Sequence, residues 1–356
     1  MEAVRIRTDQ AESGMKVASD IYNLNNQMII PKGTVLDERM ITRLRFYNIY
    51  GLLVYNDDGQ EAMKEESYID ALRNTQEFKK FSRTYVDTVN SVENNFNNVI
   101  NGDNGFDVDE LLAETDRILK EGRNGAHVME MLHGIRNYDD MTYVHSLNVS
   151  LICNIFAGWL KFSHEDTRIL TLGGLLHDIG KMLVPKEIIT KAGKLTEEEY
   201  KVVQTHAIKG YQAIKDHPID IRVKYATLMH HERCDGSGYP YGFYSEQIDS
   251  FAKLVAIADV YDAMTCARVY RGPLCPFDVV SIFETEGYSK YDPKYIMTFL
   301  ESIVQTYIHN SVKLSNGIIG EIIMINKMEL SRPVIKAEEA FIDLAKQRDL
   351  QIVSLV

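Results

Sequence analysis

The sequence has few cysteines, and none of them belongs to a paired motif. The four, Cys153, Cys234, Cys266 and Cys275, are scattered through 356 residues without a C-x-x-C spacing. A disulfide framework needs patterned cysteines in a small secreted chain. The spacing therefore indicates reduced thiols in a cytosolic protein.

An excess of basic residues is also missing. Lys and Arg number 39 against 51 Asp and Glu, which gives a net charge of -12 and a pI near 5.4. Proteins that bind nucleic-acid polymers cluster Lys and Arg to neutralise phosphates. The charge disfavours such a polymer as partner, but it leaves room for a small phosphate ligand bound by metals and a few local cations.

No apolar stretch is long enough to span a membrane. The N-terminal residues Met1–Arg7 contain no signal core, and the longest apolar run, Val149–Leu160, is interrupted by Ser150, Asn154 and Gly158. A transmembrane helix needs about 20 apolar residues. We expect a buried core helix here, and a cytoplasmic protein without a membrane partner.

Composition and periodicity predict a mainly α fold with β structure at both ends. A hydrophobic content of 45% and a charged content of 25% are typical of soluble globular proteins, and the length allows two or three domains. Residues 1–55 are predicted to form a small α+β module, which is either a structural accessory or a ligand-sensing or partner-docking domain. We expect a linker and helices at 56–125, a helical domain at 126–311 and a C-terminal β appendage at 312–356.

Apolar residues recur at helical spacing through most of the central chain, and at strand-like spacing near the ends. The predicted helices are Glu38–Tyr47, Val108–Leu119, Val128–Ile135, Val144–Leu160, Asp166–Leu183, Thr196–Ile214, Ile221–His230, Ser250–Ala267 and Pro293–Ile308. The predicted β segments are Met28–Leu36, Gly51–Tyr55, Asn316–Asn326, Pro333–Lys336 and Leu350–Val356.

The segment before residue 100 carries one narrow apolar stripe on a polar helix. The stripe consists of Phe78, Phe81, Tyr85, Val89, Val92 and Phe96. Spacings that mix threes and fours are those of a coiled-coil or bundle seam, which needs a partner helix. Two interpretations stay open: a homodimer formed through this segment, or packing against the chain's own helical domain.

The chemistry is concentrated in the helical region. Five of the ten histidines and two aspartates could converge there: His145, His177, His206, His230, His231, Asp178 and Asp259. Imidazole and carboxylate are common ligands of divalent metals. The other histidines, His127, His133, His164, His217 and His309, are interpreted as ordinary core or surface residues.

Asp178 is the candidate bridge between two metal ions. His177 and Asp178 would be neighbours on one helix, about 100° apart, and could both reach a cluster enclosed by other helices. Each histidine would give one nitrogen to one ion, while the two carboxylate oxygens of Asp178 reach both. A water between two metals loses its proton readily and becomes a nucleophile, which suits phosphodiester hydrolysis.

These residues lie in motifs that resemble the HD-GYP family, a branch of the HD superfamily of metal-dependent phosphohydrolases. The resemblance runs from about His133 to Ile308. It rests on Thr142–Ser146, Leu175–Lys181, His206 with Gly210, His230–Pro240, Ile257–Thr265 and Arg268–Arg271.

The resemblance implies hydrolysis of the bacterial second messenger cyclic di-GMP, to the linear dinucleotide or on to GMP. It implies that the seven residues above are metal ligands, with iron or manganese as the usual occupant. It further implies that Lys181, Arg268 and Arg271 contact substrate, and guanidinium suits both phosphate and guanine. Asp178 and Lys181 would carry the catalysis.

The glycine-rich loop after the paired histidines has two interpretations. Gly236, Gly238, Tyr239 and Pro240 can shape a tight turn beside the metals, with Asp235 hydrogen-bonded inside it. The family resemblance also implies a role for Gly238, Tyr239 and Pro240 in recognition of substrate or of signalling partner proteins.

One position departs from the family pattern. Some members bind a third metal through a glutamate about one turn before the first ligand histidine, and Met141 stands there, directly after Asp139 and Asp140. Methionine cannot replace a carboxylate at a hard ion, so we expect two metals.

Two other functions remain: a catalytically silent cyclic-dinucleotide receptor, and a hydrolase of another cyclic dinucleotide such as hybrid cyclic GMP-AMP.

Overall fold

The computed structural model describes most of the chain. The described residues are 3–7, 11–22, 28–37, 40–41, 44, 51–55, 72–101, 107–135, 142–191, 195–265, 274–338 and 340–356.

Helices form the body of the protein, and β-strands lie at both ends, so the predicted fold class is confirmed. The helices are α1 (Gln76–Asn101), α2 (Val108–Glu121), α3 (Gly125–Ile135), α4 (Thr142–Trp159), α5 (His164–Leu176), α6 (Lys186–Ile189), α7 (Glu197–Gln204), α8 (His206–Ile214), α9 (Ile221–Met229), α10 (Ser250–Thr265), α11 (Pro276–Ile282), α12 (Tyr288–Lys290) and α13 (Pro293–Gln305). Short 3-10 turns occupy Ile179–Leu183 and Ser245–Gln247, and a π-helical turn occupies Phe283–Gly287. Among the described residues, none of the helices combines the length and the apolar character that crossing a bilayer requires.

Two predicted long helices are wrong, because each is interrupted next to a candidate metal ligand. The helix expected over 166–183 ends at Leu176, and Asp178 has left the α-helical region with φ -102° and ψ 6°. The helix expected over 196–214 divides at Thr205 into α7 and α8. Apolar spacing alone could not reveal these breaks, since a 3-10 turn continues a roughly helical pattern.

Helix α4 lies at the centre of the helical body. Its residues from Ser146 to Cys153 are all buried, and Ile155, Phe156 and Ala157 are buried as well. A helix that is apolar nearly all round must be enclosed by others. Helices α5 and α10 pack on it, so a side chain near its start faces an interior that several helices share.

The apolar stripe of α1 packs inside the same chain. Phe81 and Tyr85 are no more than 1% exposed and belong to the large core that α3 and α4 also build. The Tyr85 hydroxyl donates to Asn148 Oδ1 of α4 at 2.6 Å. Val92 and Phe96 join a second cluster with residues of α2 and α5. The burial of the stripe favours the second of the two interpretations, packing against the chain's own helical domain.

A five-stranded antiparallel sheet closes the C-terminal end. In spatial order it runs Ile352–Leu355, Ser311–Leu314, Ile319–Met324, Val334–Ala337 and Ala340–Asp343. Its inward residues, such as Val312, Ile322 and Ile335, belong to the same hydrophobic core as the helices. The buried face of this sheet and the helical body thus share one hydrophobic core.

The N-terminal residues form a separate small core. The strands are Ala3–Arg7, Lys16–Val17, Ile21–Tyr22, Met28–Ile30 and Gly51–Tyr55. Val17, Leu36, Ile41 and Leu44 are almost fully buried within it. Of the helix predicted over 38–47, only residues 40, 41 and 44 are described, and these are helical.

Candidate metal centre

The seven predicted ligands converge from different parts of the fold. Their positions are His145 in the first turn of α4, His177 at the C-terminal cap of α5, Asp178 immediately after it, His206 at the start of α8, His230 at the C-terminal cap of α9, His231 next to it, and Asp259 in α10. Most of these residues are at or beyond a helix end, where the backbone can turn a side chain inward.

The turn that follows His177 depends on close backbone contact with α8. A Cβ atom at Gly180 would lie 2.0 Å from the His206 carbonyl oxygen and 2.4 Å from the Gly210 nitrogen. Only glycine permits that approach. The contact draws the 3-10 turn onto α8 and places Asp178 beside the His206 ring. This geometry corrects the expectation that His177 and Asp178 continue one helix.

Asp178 lies between two groups of histidines, one at each oxygen. Its Oδ2 is 3.3 Å from His177 Nε2 and 3.6 Å from His145 Nε2. Its Oδ1 is 3.3 Å from His206 Nε2 and 3.7 Å from His230 Nε2. Each side forms a set of ligand atoms within 4.8 Å of one another, with His231 in the second set. A carboxylate shared in this way is suited to bridge two cations.

Asp259 lies near both sets of ligand atoms, one oxygen toward each. Its Oδ1 is 3.0 Å from His145 Nε2, and its Oδ2 is 3.9 Å from His231 Nδ1. The two aspartates therefore contribute oxygens near both histidine groups.

Hydrogen bonds behind the rings determine which nitrogen faces the centre. The Nδ1–H groups of His177 and His206 donate to backbone carbonyls three residues earlier, each at 2.7 Å, and His230 Nδ1–H donates to the Thr227 carbonyl at 3.0 Å. A carbonyl only accepts, so Nδ1 carries a proton, and in the neutral ring the Nε2 lone pair faces Asp178. Metal-binding histidines are typically oriented in this manner.

Asp262 contacts a candidate ligand, and the sequence reasoning missed it. Its Oδ2 lies 2.8 Å from His145 Nδ1, and the carboxylate is buried. It stands three residues after Asp259 on α10, so both carboxylates reach the same ring. The D-x-x-D spacing at 259–262 was the available signal.

Electrostatics keep most of the centre in a ligand-competent form. Burial lowers the pKa of His230 to about 4 and that of His231 well below its usual value, so both rings are neutral near pH 7. Burial opposes ionisation of Asp178, but the charge of Lys181 and the neighbouring histidines hold its pKa well below the ordinary range.

Two buried polar atoms in the centre have no hydrogen-bond partner among the described residues. They are His177 Nε2 and Asp178 Oδ1, one a nitrogen lone pair and the other a carboxylate oxygen. Leaving such groups unsatisfied costs about 1–3 kcal/mol each. Both are electron donors that face the ligand clusters, so the residues present fit bound cations.

The glycine-rich loop packs directly on a candidate ligand. The Tyr239 ring stacks on His231 with centroids 4.5 Å apart and planes at 28°. A Cβ at Gly238 would lie 2.5 Å from the His231 carbonyl oxygen, so glycine is required there. Pro240 follows in the same loop, and Asp235 accepts hydrogen bonds from the Ser237 N–H and hydroxyl.

Glu232 anchors this loop, and the sequence reasoning missed it too. Its carboxylate is 3% exposed and accepts the backbone N–H of Tyr241 at 2.8 Å and of Phe243 at 2.9 Å. A charged residue directly after the paired histidines was the available signal.

The remaining predicted site residues divide by their position. Lys181 forms an ion pair with Asp178 from the 3-10 turn. Arg268 and Arg271 lie outside the described residues. So does Met141, with Asp139 and Asp140 before it, and the expected limit of two metals stays a prediction.

Comparison with known proteins finds a family match in the helical region. The family model described as HD domain matches residues 124–295. A cyclic di-GMP phosphodiesterase of Pseudomonas aeruginosa is 34% identical over 57% of this chain and 49% of its own length. A 3'3'-cGAMP-specific phosphodiesterase of Vibrio cholerae is 38% identical over 44% of this chain and 37% of its own. The cyclic di-GMP phosphodiesterase response regulator RpfG of Xanthomonas campestris is 32% identical over 55% of this chain and 52% of its own.

The chain thus spans about half of the length of these relatives or less. Residues 124–295, which include all seven converging candidate ligands, match the HD domain family.

Proposed function

We propose that the protein is a metal-dependent phosphodiesterase that hydrolyses cyclic di-GMP to the linear dinucleotide, to GMP or to both. The observation that carries the proposal is the position of Asp178, whose two oxygens each face a separate group of histidine nitrogens. Such an arrangement suits two cations on one phosphodiester. The names of the relatives support cyclic dinucleotides as the substrate class.

The ligand sets divide the centre into two cation sites. His145, His177 and Asp178 would hold one cation, while His206, His230, His231 and Asp178 would hold the other. Asp259 reaches toward both. When bound, the cations would stabilise negative charge on the phosphodiester and acidify the attacking water.

Iron or manganese is the proposed occupant. The donor set mixes imidazole nitrogens with carboxylate oxygens and contains no thiolate among its seven residues. Imidazole suits iron, zinc, copper and nickel, and carboxylate suits manganese. The donor set is therefore compatible with iron or manganese without excluding zinc or nickel, and the resemblance to the HD-GYP family is what favours these two metals. Metal analysis of protein purified without chelators, followed by reconstitution with each metal, would test this.

The cations of the protein itself would bind the substrate phosphates. Lys181 keeps a quarter of its side chain exposed while its ammonium pairs with Asp178, so it can meet a phosphate oxygen at the edge of the centre. Arg268 and Arg271, a few residues beyond α10, are proposed as further phosphate or guanine contacts. Tyr239, with Gly238 and Pro240, would form the wall above His231.

Product analysis tests the proposal. Metal-loaded protein is incubated with cyclic di-GMP and, separately, with hybrid cyclic GMP-AMP, and the products are separated by chromatography. We expect turnover of cyclic di-GMP that Asp178→Asn abolishes, since the variant loses the bridging charge. Asp216→Asn, at an exposed surface carboxylate, is the matched control and should retain activity.

The outcomes separate the competing functions. Faster turnover of the hybrid dinucleotide would favour the second candidate, which the cGAMP-specific relatives support. Binding without turnover in fully metallated protein would identify a silent receptor. The complete ligand set makes the receptor the weaker candidate, because its loss of activity would need another cause.

The biological setting completes the proposal. The relatives come from bacteria, and we place this enzyme in a bacterial cytoplasm, where residues 1–55 or the glycine-rich loop would contact signalling proteins.

A further inference from the structure

Aromatic rings form a row from the metal centre toward the surface. Tyr239 stacks on His231, and the Tyr200 ring meets Tyr239 edge to face, with centroids 6.4 Å apart and planes at 76°. Tyr200 is 49% exposed. The half-exposed ring of Tyr200 thus contacts Tyr239, the residue that stacks on the candidate ligand His231.

The helix that carries Tyr200 is held at its start but is not part of the core. Helix α7 has no buried residue. Its first turn is closed by a capping box between Thr196 and Glu199, and Lys191 forms an ion pair with Glu199. Only Thr205 separates α7 from His206, so the position of Tyr200 is tied to a ligand of the centre.

The exposed part of the Tyr200 ring lies beside the candidate active site. The contact with Tyr239 is edge to face, and about half of the Tyr200 surface remains available. Aromatic side chains stack on nucleobases without regard to base identity, because every base has a π-face. In a cyclic dinucleotide the bases project away from the phosphodiester ring, so a base lies outside the metal centre when a phosphate is within it.

We propose that Tyr200 is a substrate-binding residue that stacks on a purine base of the substrate at the mouth of the metal centre. This inference rests on the proposed function, since it concerns the same site. Base stacking of this kind changes affinity by roughly 5- to 150-fold per base. Tyr200 would therefore affect substrate binding and leave the chemical step unchanged.

The experiment compares three variants of the full chain in the metal-loaded state. Tyr200→Ala removes the ring, Tyr200→Leu keeps an apolar cover over Tyr239, and Tyr200→Phe keeps the stacking face without the hydroxyl. Tyr288→Ala, at a 43% exposed tyrosine on α12, is the matched control. For each, kcat and KM are measured with cyclic di-GMP and with bis(p-nitrophenyl) phosphate, a phosphodiester without a base. Affinity for cyclic di-GMP is measured by calorimetry.

The inference expects Tyr200→Ala and Tyr200→Leu to weaken cyclic di-GMP binding and raise KM by roughly 5-fold or more, with kcat nearly constant. Tyr200→Phe and Tyr288→Ala should match the unmodified chain, and the base-free ester should not distinguish any of them. Unchanged affinity in Tyr200→Ala would overturn the inference. So would an equal loss with the base-free ester, which would mean that Tyr200 only supports Tyr239.

The two proposals fail in different ways. If the unmodified chain binds cyclic di-GMP without hydrolysing it, the proposed function fails, while the affinities of the variants still decide the role of Tyr200. If the unmodified chain neither binds nor hydrolyses it, the substrate class is wrong and this inference falls with it.

Discussion

The ring of His145 is held between two buried carboxylates, and its bond to Asp262 is the shorter one. Nδ1 lies 2.8 Å from Asp262 Oδ2, while Nε2 lies 3.0 Å from Asp259 Oδ1. Burial disfavours a charge on this ring, but the hydrogen bonds and charges of both carboxylates raise its pKa to about 10. A cation at Nε2 would replace that proton, and Asp262 would continue to orient the ring.

Removal of Asp262 should weaken metal binding without removing a ligand. We expect Asp262→Ala to lower metal affinity by about 10- to 100-fold, because the His145 ring loses its orienting partner. Asp262→Asn should lower metal affinity less, since an amide oxygen can still accept the hydrogen bond from His145 Nδ1–H. Metal content after dialysis, with circular dichroism as the check on folding, measures this. Full metal occupancy in a folded Asp262→Ala protein would contradict the assignment.

Two glycine-to-alanine changes should have opposite effects. At Gly180 the new Cβ would clash with the His206 carbonyl at 2.0 Å, so Gly180→Ala should separate the turn from α8 and reduce both stability and metal binding. At Gly158, inside α4, a Cβ meets nothing within 4 Å, so Gly158→Ala should stabilise by about 0.5–1 kcal/mol. Urea unfolding compares the two, and similar effects at both positions would refute the role given to Gly180.

Glu232 should determine the order of the glycine-rich loop. Glu232→Gln replaces one acceptor oxygen with an NH₂ group that faces a backbone donor, so it should cost about 1–3 kcal/mol. Hydrogen exchange at the amides of Tyr241 and Phe243 should accelerate. Glu246→Gln, at an exposed glutamate of the same loop, is the control. Protection that stays unchanged in Glu232→Gln would mean that other contacts hold the loop.

Arg222 should contribute stability that depends on pH. It donates to Asp166 at 2.7 Å and to both oxygens of Asp220 at 3.0 Å. The pKa of Asp166 is lowered by the Ser163 hydroxyl and by Arg222, and that of Asp220 mainly by Arg222. A lowered carboxyl pKa adds stability above the unfolded value, about 3.9, and this stability is lost as the pH falls through the lower folded value.

Arg222→Met should therefore be less stable than the unmodified chain near pH 6, and the difference should shrink toward pH 3. Urea midpoints at both values measure it. Lys215→Met, which removes a 4.0 Å surface pair with Asp216, should show no such trend. A difference that is constant with pH would assign the effect to the packing of Arg222 over Phe251.

Phe81 should contribute to the stability of the folded chain and not to self-association of two chains. Phe81→Ala should lower the free energy of unfolding by about 3–5 kcal/mol, because the ring is fully buried in the chain's own core. Val86→Ala, at a 37% exposed position of the same helix, should be nearly neutral. The folded variants should have the same mass as the unmodified chain in sedimentation velocity. A change in that mass with little loss of stability would favour a homodimer formed through α1.

Local patterns in the sequence were sufficient to predict the fold class and several elements. The strand at Gly51–Tyr55, the start of the helix at Pro293 and the strands around Gly317 follow from patterning and turn residues. The helix breaks at His177 and Thr205 were missed because they depend on the approach of Gly180 to α8. That contact joins segments about 30 residues apart, and no local pattern records it.

The sequence by itself determined which residue types are available for chemistry: the paired histidines, the His-Asp pair and the glycines around Tyr239. Their chemistry is intrinsic to the side chains, and so it can be read without a fold. Only the tertiary structure decided that Asp178 faces histidines on both sides, that Asp262 contacts His145 while Glu232 accepts hydrogen bonds from the glycine-rich loop, and that the α1 stripe is buried. These depend on distances between distant segments, which packing alone sets.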